Sequence, residues 1–124
     1  MKITRLYTGP DGQSHFEDVE VPLNEQDLGR LSDLVDAKGV IFRETPAGFT
    51  LDWHKAPQRQ FVILLNGMVE IEVGDGTKRR ISAGDILFAE DVTGQGHISR
   101  DLSGPRRSIF IPVPDSVSVE KWRP

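Results

Sequence analysis

Apolar and polar residues alternate along most of this chain in short runs, and a turn signal closes nearly every run. That pattern predicts an all-β protein. Ile3 to Thr8 reads as a first strand, ended by Gly9-Pro10-Asp11-Gly12, and His15 to Val21 as a second, ended by Pro22. Between Asn24 and Ala37 the leucines at 28, 31 and 34 follow a three-residue spacing, which predicts an irregular, partly helical connection weakened by Gly29. Gly39 to Glu44 and Phe49 to Trp53 form the next pair of strands. Gln60 to Leu65 is apolar on both faces and should lie centrally in a sheet.

Asn66-Gly67 is a strong hairpin signal and leads into Met68 to Val73, where Val69, Ile71 and Val73 alternate with Glu70 and Glu72. Further turns at Gly74-Asp75-Gly76 and Ala83-Gly84-Asp85 set off Lys78 to Arg80 and Ile86 to Ala89, so this stretch reads as a meander. Gly96 to Asp101 and Ser108 to Val113 complete the strands. There is no internal repeat and no low-complexity segment.

Composition narrows the functional classes. At 124 residues the chain reads as one domain, large enough to fold around its own core. Its formal charge of −4 disfavours phosphate backbones and anionic lipid, so neither nucleic acid nor membrane is an expected partner. The longest apolar run, Phe61 to Leu65, is far too short to span a bilayer, and a soluble, cytoplasmic protein is expected. Zero cysteines exclude thiolate metal sites, disulfides and a cysteine nucleophile. Walker-type loops, dinucleotide fingerprints, His-Glu-x-x-His and nucleophile elbows are all absent from the sequence.

Two stretches carry a family resemblance. Trp53-His54-Lys55-Ala56-Pro57-Gln58-Arg59-Gln60 running to Gly67 resembles the first motif of the cupin family: two histidines, a glutamate, and a glycine seven residues beyond it. Gly84-Asp85 followed by a strand and the Gly94-Gln95-Gly96-His97 loop resembles the second. The resemblance implies a single small RmlC-like cupin domain over residues 1–124, with core motifs at about 53–97. It implies a double-stranded β-helix, or jelly-roll barrel, and a homodimer joined through strand edges and the N-terminal segment.

In that family the motif residues commonly hold a divalent metal. Anchored on Gly67, this sequence places His54 at the first histidine, Ala56 at the second, Gln60 at the glutamate and His97 at the last. Residues 54, 56 and 60 share parity, so they should face one way, into the barrel. Ala56 has no donor atom and Gln60 offers only a neutral amide, which lowers affinity for a divalent cation. The leading expectation is therefore an interior pocket for a small organic molecule, with His54, His97 and Gln60 as catalytic groups for metal-free isomerase or lyase-type chemistry. Gln60, Val62, Leu64, Phe88 and Glu90 are the expected ligand contacts.

Two alternatives accompany it. In the first, His54, His97 and Gln60, or a carboxylate from Glu90-Asp91, hold Fe, Mn, Ni or Zn for dioxygenase-like chemistry. In the second the pocket is a non-catalytic metabolite-binding module. Each residue also has a plain structural role: either histidine as a hydrogen-bonded, partly buried side chain, Glu90-Asp91 as a solvated turn, His15 as an edge residue, and Lys78-Arg79-Arg80 as a charged edge.

Overall fold

A computed structural model describes residues 1–124. Twelve strands follow one another: β1 (Lys2–Thr8), β2 (Ser14–Glu20), β3 (Asn24–Gln26), β4 (Gly29–Leu31), β5 (Ile41–Thr45), β6 (Thr50–His54), β7 (Gln60–Leu64), β8 (Met68–Glu72), β9 (Lys78–Ser82), β10 (Ile86–Glu90), β11 (His97–Asp101) and β12 (Arg106–Pro112). A single short 3-10 turn, Glu120–Trp122, lies near the C-terminus. No helix is long and apolar enough to cross a membrane.

The strands form a six-stranded sheet, β2-β1-β10-β7-β12-β5, facing a four-stranded sheet, β6-β11-β8-β9, with β3 and β4 as a separate small hairpin. The all-β expectation holds, and β7 is central as its two apolar faces require. The meander does not form. The chain reverses at Asn66-Gly67, but β7 pairs with β10 and β12 while β8 pairs with β9 and β11 in the other sheet. A local turn signal fixes where the chain reverses, whereas the partner of each strand depends on which apolar face must be covered. Gly67 (φ 75°) makes the corner, and a Cβ there would come within 2.8 Å of Arg106 Cβ.

The partly helical connection is also corrected. Residues 24–31 form a hairpin, and the segment beyond it contains no helix. Leu28 and Leu34 remain 92% and 95% exposed, so the three-residue spacing buries no stripe and supplies no packing energy for a helix.

Two apolar clusters bracket the six-stranded sheet. Leu6, Leu64, Leu87 and Ala89 meet Val69, Ile71 and Ile81 of the four-stranded sheet, with Val73 just beyond β8, to make the interior core. Ile3, Val19 and Phe88 pack outside it under Val113, Val119 and Trp122 of the C-terminal segment. That covering explains why β10 is apolar on both faces. Lys78-Arg79-Arg80 lies on β9, the edge of the smaller sheet, as expected of charges that discourage edge pairing.

Candidate active site

The two sheets enclose a cavity of about 300 Å³. Its apolar wall includes Val62, Leu64 and Leu87 from the larger sheet and Leu51, Val69 and Ile71 from the smaller one. Its polar wall is formed by His54, His97, Gln60, Ser99, Ser108, Arg43 and Arg106. A small pocket with apolar walls and a few convergent polar groups is the usual form of a small-molecule site.

His54 and His97 are brought together by the register of β6 and β11, where they are direct partners. Their rings lie 4.3 Å apart between centroids, tilted by 56°. The register slips between this pair and Leu51–Ser99, so β6 carries one extra residue, and Leu51 enters the cavity beside His54 although their parities differ. Trp53, next to His54 on the same strand, is instead an exposed, outward residue. Gly96 permits the close pairing. It has φ 79°, and a Cβ there would fall 1.9 Å from the His54 carbonyl oxygen.

Each imidazole is fixed through Nδ1. His54 Nδ1 lies 2.7 Å from the Asp52 carbonyl oxygen, which can only accept, so Nδ1 carries the proton and Nε2 the lone pair. Desolvation lowers the His54 pKa below its ordinary value, and the Asp52 hydrogen bond opposes that shift. His97 Nδ1 lies 2.6 Å from Oδ2 of Asp91, whose side chain is 0% exposed. The same oxygen accepts a hydrogen bond from Ser14 Oγ at 2.7 Å. A buried carboxylate thus orients one imidazole, and a hydroxyl from β2 orients the carboxylate.

Several of the residues singled out in the sequence lie together at this cavity. His54, Ala56, Gln60, Val62 and Leu64 all line the cavity with His97, as shared parity requires. Gln60 is buried, and its Oε1 has no donor within the chain. Phe88 and Glu90 are corrections. Leu87 and Ala89 stand opposite Val62 and Gln60, so the even residues of β10 turn outward. Phe88 packs on Phe61 at 4.6 Å, and Glu90 binds Arg5 Nε at 2.5 Å and Arg59 Nε at 3.1 Å. Asp91, by contrast, points inward, so the Glu90-Asp91 pair is not a solvated turn. His15 sits near the surface against Asp11 at 3.0 Å.

Sequence reasoning missed Ser14, Arg43 and Arg106. Nothing near them in the chain marks them; each reaches the site through strand pairing between distant segments.

Two imidazoles and a neutral amide make a weak donor set for a divalent metal. No group of three or more His, Asp or Glu side chains is arranged to hold one. The two free Nε2 atoms have only a neutral amide as a third donor, and Asp91 Oδ2 is shared between His97 and Ser14.

Two facing sheets in this order close round a pocket that carries His54 and His97, the histidines of the two motif-like stretches, an all-β sandwich consistent with a jelly roll. No family model matches the sequence, and no curated protein matches it. Among solved structures, the chain is similar to a mutant QdtA 3,4-ketoisomerase from Thermoanaerobacterium thermosaccharolyticum in complex with TDP (16% identity, 80% of each chain, TM-score 0.48). It is also similar to a 3,4-ketoisomerase from Helicobacter canadensis (17% identity, 83% of this chain and 84% of that one, TM-score 0.47). A third is a putative ethanolamine utilization protein Q from Salmonella typhimurium (16% identity, 92% and 96% coverage, TM-score 0.42).

Proposed function

We propose that this chain is a small cupin that binds a small carbonyl compound in its cavity and moves a proton on it without a metal, in an isomerase or lyase-type reaction. The observation that carries the reading is the buried Asp91–His97 pair, whose free Nε2 belongs to an imidazole lining the cavity beside His54. A carboxylate on Nδ1 fixes the tautomer with its lone pair at Nε2 and balances the charge that appears when Nε2 takes a proton.

His97 then acts as general base toward a C–H next to the substrate carbonyl. The electron pair of that bond moves into the carbonyl to give an enolate, whose oxygen is held by the amide N–H of Gln60. His54, neutral with its lone pair at Nε2, accepts a hydrogen bond from a substrate hydroxyl. The proton on His97 returns to carbon in an isomerisation, or a leaving group departs from the neighbouring carbon in an elimination.

Deuterium uptake in D2O, followed by NMR on dihydroxyacetone, 2-oxobutanoate and 4-oxopentanoate, tests this reading. Wild-type protein should accelerate exchange next to the carbonyl, and His97→Gln should remove the acceleration. Equal exchange in the variant would overturn the assignment of the base. Binding of these compounds with no accelerated exchange would favour the non-catalytic metabolite-binding module.

We also infer that a second copy of the chain seats on β5. This strand is a sheet edge, and Val40, Ile41 and Phe42 at its outer end are exposed, Phe42 by 81%. Light scattering should give a dimer for the wild type and a monomer for Phe42→Asp; a monomer at every wild-type concentration would overturn it.

A further inference from the structure

The cavity holds a cation that the proposed proton transfer does not use. The chain has ten arginines, and eight of them have a carboxylate within 4.0 Å. The two exceptions differ in kind. Arg80 is exposed on an edge strand, whereas Arg43 is half-buried and lines the cavity.

Arg43 is also held in place. Its guanidinium lies 5.5 Å from the centre of the Phe110 ring and 5.9 Å from that of Phe49. On the β5–β12 ladder Arg43 stands opposite Ser108 and Thr45 opposite Arg106, which makes the two arginines diagonal neighbours on one face. Arg106 is nearly buried and has one partner, Asp101, at 3.4 Å. Burial lowers its pKa first of all, and the charge of Arg43 pushes in the same direction. Two guanidiniums with one carboxylate leave one unbalanced positive charge on a partly desolvated wall, in a protein whose net charge is −4. Thr45 and Ser108, both buried residues, add hydroxyl groups to the same wall.

We propose that Arg43 is the anchor for a carboxylate on the ligand, so that the cavity takes small organic monoanions. A planar guanidinium matches a carboxylate through two parallel N–H···O bonds. One uncompensated charge suits a monoanion better than a phosphate dianion, because Asp101 already balances Arg106. Arg43 lines the same cavity as His54, and its positive charge adds a small part to the lowering of the His54 pKa. This assignment rests on the cavity being the ligand site and is independent of whether chemistry follows binding.

Calorimetry with 4-oxopentanoate and benzoate, each against its methyl ester, and with phenyl phosphate tests it on the intact protein. Wild type should bind each acid at least tenfold more tightly than its ester. Arg43→Ala should lose that preference while still binding the esters, and Arg43→Lys should keep part of it. His97→Gln should retain the preference, which separates failure of the anchor from failure of the proton-transfer reading. Acids no tighter than esters, an undiminished preference in Arg43→Ala, or phenyl phosphate tighter than benzoate would each overturn the carboxylate assignment.

Discussion

Oδ2 of Asp91 sits 2.6 Å from Nδ1 of His97, in a position where neither carboxylate oxygen reaches solvent. Only Ser14 shares that oxygen, and Oδ1 has no partner in the chain. A carboxylate held this way is poised to orient one imidazole. Asp91→Asn should therefore reduce proton exchange by about 10²–10³-fold, within the range that a positioned general base contributes. KM should change little, because Asp91 does not line the cavity. Ser14→Ala should lower the rate less, with an altered pH profile as the mark of a mispositioned base. A large rise in KM with unchanged kcat in Asp91→Asn would count against the positioning role.

The approach of β6 to β11 depends on residue 96. Gly96→Ala introduces a Cβ where the His54 carbonyl stands and forces a positive φ on a residue that disfavours it. A loss of about 1–3 kcal/mol in chemical denaturation is expected, with separation of the two imidazoles. Stability within about 0.5 kcal/mol of wild type would show that the loop relaxes freely.

The lowered pKa of His54 gives a pH signature. The unfolded chain takes up a proton near the ordinary value of 6.5, whereas the folded chain does so only at lower pH. The contribution of His54 to stability is accordingly complete above 6.5 and is lost as the pH falls through its lowered folded value. An NMR titration should place its midpoint below 6.5. In His54→Gln the melting temperature should fall less steeply on acidification than in the wild type; equal slopes would show that the shift does not bear on folding.

Gln60 offers a direct test of metal competence. Gln60→Glu adds an anionic oxygen beside two imidazoles whose Nε2 atoms are free, and should raise Zn²⁺ or Ni²⁺ affinity by on the order of tenfold or more. Titration calorimetry in the absence of other ligands reads this directly. An unchanged affinity would mean that residue 60 and the two imidazoles cannot converge on one ion.

Alternating apolar positions and turn residues made the strands legible without a structure, because a strand's period and a turn's backbone demands are local properties. His54, Gln60 and His97 were legible for the same reason: motif spacing and strand parity carry their orientation. Phe88 shows the limit. Its parity on β10 could be counted, but which parity faces inward depends on the register with β7, and that is set by a strand distant in sequence. The Asn66-Gly67 reversal likewise announced a turn without saying that the chain would change sheets. Asp91 was visible only as half of a polar pair; its burial requires Ser14 and the loop ending at His97 to close over it. Arg43 had no local mark at all, since its solitude is defined by carboxylates that are absent around it in space. The sequence alone determined the elements and one face of the pocket. Tertiary structure decided the partners, because cross-strand register and the balance of buried charge are set by contacts between segments far apart along the chain.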